Sequence, residues 1–367
     1  MPRSFASRFF LPGPTAVHPD VLEAMTQPMI GHRGEDLARI LAEADPMLRR
    51  VFRTERPVYV SSSSATGLME GAVRNGVRRR ALSLVNGAFS GRYRDLVRDC
   101  GREVESYEVP WGEAHDADEV RRRLVSGAFD AITLAHSETS TGVLNPLAEI
   151  ATAVRDAAAA TGEEIFLLVD GVTSVGGMHV EMDGWGLDFL LTGSQKALAM
   201  PAGLSFGSPS ERMLARAASL EGRGQYFDLL EFDAYWKKHQ TPTTPAISLI
   251  YAMLEQLRRL DAEGSDARAE RHLAMAHRCW EWVESRAGTG LEILAGAGHR
   301  SPTVTTIKLP SRLRGTDVAA RMEQRGWVIG SGYGKLKDTT IRIGHMGEHT
   351  VDGLDRLLNE LDEVIAG

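Results

Sequence analysis

Up to about residue 250, short apolar runs rich in β-branched residues recur at Val58–Val60, Ala81–Val85, Ala131–Ala135, Ile165–Val169, Phe189–Leu191 and Leu204–Phe206. Longer stretches with helical spacing lie between several of them, Pro146–Ala160 among them. A strand that is apolar throughout, and not on alternate positions only, is one covered on both faces, and the intervening helices supply the cover. The pattern predicts an α/β domain built on a mostly parallel sheet. Ligands of such sheets bind beyond the carboxyl ends of the strands, so the polar residues that follow each run are where chemistry is to be sought.

Beyond Ile250 the pattern changes. A long helix over Ile247–Leu260 leads into "EGSDARAERHLAMAHRCWEWVESRA", with Ser265 expected as its cap. Strands are expected at Thr303–Lys308, near Trp327–Ile329 and at Thr340–Ile343, with a helix near Asp317–Arg325. A final helix carries Val351, Leu354, Leu357, Leu358, Leu361, Val364 and Ile365 as one apolar stripe. The expected organisation is an N-terminal segment over 1–33, rich in Pro and Gly, that wraps over the domains; a large domain over 34–250; and a smaller α+β domain over 251–367.

Composition narrows the functional classes. A net charge of −7 over 367 residues argues against nucleic acid or an anionic membrane as the main partner. The clusters Arg78–Arg80 and Arg121–Arg123 sit beside acidic residues on expected helices or their ends and read as solvated faces. Two cysteines make neither a disulfide framework nor a zinc site, which suits a reducing cytoplasm. The apolar run near the N-terminus is too short for a signal peptide, and none approaches the roughly 18 residues of a membrane span.

Several strand ends carry candidates. In "VYVSSSSATGLMEGAV", Ser64, Ala65 and Thr66 begin a helix whose free N–H groups suit a phosphate, although an ordinary hydroxyl cap is the plainer alternative. The stretch lacks the Gly-Lys-Ser/Thr ending of a P-loop. Phe89, among glycines in "LVNGAFSGRY", is either a ring that stacks on a flat ligand or a minor core contact. "ITLAHSETSTGVLNP" sets His136, Ser137, Glu138, Thr139, Ser140 and Thr141 together after a strand, more hydrogen-bonding groups than a capped turn uses. Asp170 ends the apolar run of "EIFLLVDGVTSVGG", where a buried carboxylate needs a partner. Lys196 follows a later strand in "LLTGSQKALAMPAG". The two either pair directly or touch different atoms of one cofactor. Arg342 lies inside the strand pattern of "TTIRIGHMG", where its planar fork meets either a structural acid or a ligand carboxylate. The preceding "GSGYGK" is a poor dinucleotide loop because no helix opens after it.

The series "LPGPTAVHPDVLEAM", "HSETSTGVLNP", "LLVDGVTSVGG", "TGSQKAL", "TPTTPAISL" and "IRIGHMG", in this order over nearly the whole chain, resembles the class V aminotransferases of pyridoxal-phosphate-dependent fold type I. The similarity is to the alanine–glyoxylate and serine–glyoxylate group in particular. The resemblance implies a large domain with a mostly parallel seven-stranded sheet, a smaller C-terminal domain, and a homodimer with a shared active site. It implies that Lys196 forms a Schiff base with pyridoxal 5'-phosphate and shuttles the proton, and that Asp170 pairs with the pyridine nitrogen. Phe89, where relatives often have tryptophan, would stack on one ring face and Val172 on the other, with Thr139 on the oxygen side. Ser64, Ala65, Thr66 and Gln195 would hold the phosphate, with Ala65 standing where relatives usually have glycine, and Thr243 would reach it from the second subunit. Arg342 would grip the substrate carboxylate. The implied reaction carries an amino group from alanine or serine to glyoxylate or pyruvate by a ping-pong route.

Alternatives stay open at this point. His32-Arg33 in "GHRGEDLARI" resembles an element that phosphoserine aminotransferases place near the substrate phosphate, which makes Arg33 a candidate substrate ligand and phosphoserine with 2-oxoglutarate the competing pair. A cysteine desulfurase needs a mobile cysteine, whereas Cys100 and Cys279 both fall in helical patterns. A nicotinamide-dependent dehydrogenase on the same sheet is the reading from outside the family.

Overall fold

The computed structural model describes residues 5–366; the first four residues of the expected N-terminal segment and the last residue of the chain lie outside the described residues. The larger sheet has seven strands in the spatial order Tyr59–Ser61, Ser205–Pro209, Phe189–Gly193, Phe166–Asp170, Ala131–Ala135, Arg80–Val85 and Glu103–Glu108. Ser205–Pro209 runs antiparallel to both neighbours and the other pairings are parallel. This is the expected α/β fold with its mostly parallel seven-stranded sheet. The ends of six strands, at Ser61, Val85, Glu108, Ala135, Asp170 and Gly193, therefore reach one end of the sheet together. Register fixes this closely: Ala135 stands opposite Asp170, and Asp170 opposite Leu191.

The strand Glu103–Glu108 escapes the apolar pattern because it is the sheet's edge. Its residues are half-buried or exposed, and Glu105 spends its charge on Arg80 at 2.7 Å. Polar edges of this kind block pairing with other chains. The helices Ala65–Gly76, Ala88–Asp99 and Leu147–Thr161 connect strands and bury apolar faces in one large core that also holds Phe166, Phe189 and Phe206.

A second core gathers around a five-stranded sheet in the order Phe9–Phe10, Val328–Ser331, Thr340–Gly344, Val304–Lys308 and Glu292–Ile293. The stripe of the final helix, Val351–Ala366, packs there as its spacing predicts, with Leu354, Leu357 and Leu361 fully buried. Ser265 does not cap the helix Ser265–Glu284. It is the first helical residue, and Gly264 at φ 84° stands in the capping position, because a left-handed residue lets the chain turn sharply out of Ile247–Glu263.

The start of the chain links the two cores. Phe9–Phe10 joins the smaller sheet parallel to Val328–Ser331 and buries Phe10. Residues 12–15 then pass over Lys196, and the short helix Pro19–Ala24 lies against Ile247–Glu263.

Candidate active site

Lys196 lies just beyond the end of Phe189–Gly193 and is buried. Its Nζ donates to the carbonyl of Pro12, and Thr15 clamps the adjacent backbone through Thr15 Oγ1 to Lys196 O and Thr15 N to Gln195 O, both at 2.9 Å. Gly13, at φ 129°, has no alternative here, since a Cβ would lie 2.5 Å from Lys196 Cδ and Cε. Burial is the main force on the amine and takes its pKa from 10.5 to about 8; the Arg342 charge adds to this, while Asp170 and Glu138 oppose it.

Asp170 closes the neighbouring strand and is also buried. One oxygen accepts the Val172 N–H at 2.8 Å. Burial raises its pKa from 3.8 to about 7, and the Glu138 charge pushes the same way. Among the described residues no cation stands within ion-pair distance of Asp170, so the direct Asp170–Lys196 pair left open by the sequence is not formed. Each feels the charge of the other without the two meeting.

The remaining residues assemble from three directions. The Phe89 ring lies 5.8 Å from Lys196 Nζ. Thr139 touches Thr173 through their hydroxyls, and its carbonyl accepts from Arg342 Nη1 at 3.4 Å. Arg342 comes from the smaller sheet, donates through Nε to Ser331 O at 3.0 Å, and lies 5.3 Å from the centre of the Tyr333 ring. Its guanidinium meets no carboxylate among the described residues, and burial lowers its pKa. An arginine supplied only with carbonyls and a ring retains donors for an anion. Val172 and Gln195 are half-buried at the same end of the sheet.

Ser64, which is exposed, precedes the helix Ala65–Gly76 without capping it by its side chain. Ala65 is buried and Thr66 accepts from Arg92 Nη1 at 3.5 Å. Arg33 and Thr243 occupy a different place. Arg33 donates to the carbonyls of Thr241 and Pro242 and stacks over Tyr235, and it thereby braces the loop in which Thr243 is exposed.

Three contributors were not singled out from the sequence. Glu138 belongs to the polar turn already noted, and its burial was the missing fact. Arg92 lies 5.1 Å from the Phe89 ring and pairs with no acid among the described residues. Tyr333, from "GSGYGK", places its ring 5.2 Å from Phe89, so that stretch closes over the site and is not a nucleotide loop. Neither thiol is activated, as burial raises the pKa of Cys100 and takes that of Cys279 to about 12.

A family model for aminotransferase class-V matches residues 88–357. The chain belongs to the class V aminotransferases. It is an aminotransferase by family and by its relatives. It is 31% identical to an L-aspartate–glyoxylate aminotransferase of Paracoccus denitrificans, over 93% of this chain and 86% of that protein. It is 31% identical to a serine–glyoxylate aminotransferase of Methylorubrum extorquens, over 93% and 87%. The crystal structure of an alanine–glyoxylate aminotransferase from Nostoc sp. superposes with a TM-score of 0.90 at 31% identity, covering 99% of this chain and 96% of that one. No helix among the described residues is long and apolar enough to cross a membrane.

Proposed function

We propose that this aminotransferase uses pyridoxal 5'-phosphate and carries an amino group from a small amino acid, alanine or serine, to a small 2-oxo acid, glyoxylate foremost. The observation behind the coenzyme assignment is the pair Lys196 and Asp170, both buried, close enough to feel each other's charge and unpaired with each other. Each of these groups is costly to keep charged in the interior without a direct partner, and a third body that engages both relieves that cost. A ring with an aldehyde for the amine and a basic nitrogen for the carboxylate does so. When bound, the coenzyme supplies an electron sink for the bond broken at the substrate α-carbon.

The residues divide the remaining work. Phe89 and Val172 would flank the coenzyme ring, and Thr139 would lie beside its oxygen. The helix start at Ser64, Ala65 and Thr66, with Gln195, holds the phosphate. Asp170 keeps the proton on the ring nitrogen. Lys196 would be the group that binds the coenzyme aldehyde and, as a free amine, would serve as the base for the substrate α-proton; its lowered pKa leaves a neutral fraction near pH 7. Arg342 orients the substrate through its carboxylate. Tyr333 and residues 12–15 exclude water from above.

The substrate reading is supported by the relatives, which share glyoxylate in their names and differ in the amino donor. The phosphoserine alternative draws no support from Arg33, whose donors are engaged by backbone carbonyls. The braced, exposed loop at Thr243 supports a homodimer in which that residue completes the partner's phosphate site.

Mixing the protein with pyridoxal 5'-phosphate should produce a visible absorption band that borohydride fixes covalently, and Lys196→Ala should abolish the fixation. A protein that stays colourless refutes the assignment. A matrix of alanine, serine, aspartate and phosphoserine against glyoxylate, pyruvate and 2-oxoglutarate identifies the pair. Parallel initial-rate lines are expected for departure of the first product before the acceptor binds; intersecting lines rule that order out.

A further inference from the structure

Glu138 is fully excluded from solvent, and its two oxygens collect only donors. Oε2 accepts the N–H of Ser90 at 2.8 Å, the N–H of Phe89 at 3.1 Å and the Ser90 hydroxyl at 2.9 Å. Oε1 accepts the N–H of Ser140 at 3.1 Å, the Ser140 hydroxyl at 2.6 Å and a longer branch from Phe89 N at 3.3 Å. The N–H groups of Phe89 and Ser90 belong to the first turn of Ala88–Asp99, where a helix leaves N–H groups without partners and favours negative charge. Ser140 Oγ takes the remaining N–H of that turn, from Ala88, at 3.0 Å. The approach is so close that a Cβ on Gly87 would lie 2.3 Å from Glu138 Cγ and Cδ.

We propose that Glu138 is a positioning residue for the reaction: its carboxylate anchors the helix turn that aims Phe89 across Lys196, and it places a fixed negative charge under the site. The proposal rests on the coenzyme reading above. The same helix turn bears both the two backbone donors and the ring that lies 5.8 Å from Lys196 Nζ, so a tilt of the turn moves the ring. The charge acts on the groups that face it: it favours the protonated forms of Asp170 and Lys196 and opposes the loss of charge at Arg342. Arg92, beside Phe89, acts on Asp170 and Lys196 in the opposite sense. An amide cannot replace the carboxylate, because whichever way it turns its NH2 group meets the N–H of Ser90 or of Ser140.

The test compares wild type, Glu138→Gln and Glu138→Asp. Each is measured for the coenzyme dissociation constant, the visible circular dichroism of the bound coenzyme, and the pH midpoint of its visible absorption. Glu138→Gln should bind the coenzyme about tenfold more weakly, the effect of losing a charge-assisted hydrogen bond, with weakened dichroism and a midpoint moved to lower pH. Glu138→Asp keeps the charge but draws back from the helix turn, so its dichroism should weaken while its midpoint stays near that of wild type. A folded Glu138→Gln protein with the wild-type dichroism and midpoint overturns the proposal. Should that variant fail to fold, unchanged dichroism in Glu138→Asp overturns it instead. A wild-type protein that never gains the visible band refutes the coenzyme reading itself, a result distinct from either.

Discussion

Replacing Asp170 by asparagine should stabilise the coenzyme-free protein while weakening its hold on the coenzyme. The carboxyl is held at about 7 in the fold against an ordinary 3.8. A raised carboxyl binds a proton more tightly folded than unfolded, so stability falls as pH rises from 3.8 and the loss is complete once pH passes about 7. At 1.36 kcal/mol for each pH unit between the two values, the ionised group withdraws as much as about 4 kcal/mol. The attraction of Lys196 is already contained in the value of about 7, so a net gain of up to about 4 kcal/mol is expected above about pH 7. Asparagine can still accept the Val172 N–H through its carbonyl oxygen, so the turn survives. The assay is thermal unfolding of both coenzyme-free proteins across a pH series. Their melting temperatures should converge near about pH 4 and separate by a few degrees above about pH 7. With saturating coenzyme the order should reverse, because only the carboxylate pairs with the ring nitrogen. A difference independent of pH, or a coenzyme-free variant less stable than wild type at alkaline pH, would show that Asp170 is not a strained acid.

Coenzyme uptake by Lys196 needs the neutral amine, so its rate should climb with pH and level off above about 8; a rate flat across that interval contradicts the lowered pKa. Arg342→Ala should raise KM for amino donor and oxo acceptor alike, by about tenfold to a hundredfold, and leave coenzyme binding intact; an unchanged KM removes Arg342 from the substrate site. Gly13→Ala should slow coenzyme uptake and lower the melting temperature together, since the new methyl group collides with the Lys196 side chain at a left-handed position. Wild-type uptake in that variant would mean that residues 12–15 move freely over the lysine.

The strands at the centre of the larger sheet were legible because burial on both faces demands apolar runs such as Leu167–Val169 and Phe189–Leu191. The strand Glu103–Glu108 was not, since an edge is free to be polar. Phe9–Phe10 was not either: two residues carry no periodicity, and its place depends on pairing with a strand that forms more than three hundred residues later. Lys196, Asp170 and Arg342 stood out as charges in or directly after apolar segments, a conflict that local sequence displays. Glu138 and Tyr333 did not, because what distinguishes them is contact with the Phe89 turn from distant parts of the chain. Arg33 drew attention through a local pattern alone, and in the fold its guanidinium donates to the Thr241 and Pro242 carbonyls.

The pairing of Phe9–Phe10 with Val328–Ser331 also orders events during synthesis. Lys196 is made past the midpoint of the chain, and the strand that anchors Phe9–Phe10, and with it the start of the roof, follows only in the last tenth or so of the message. Between the emergence of Lys196 and that of Val328–Ser331 the strand that anchors this roof is missing, so the finished cover over the amine is a late product of synthesis.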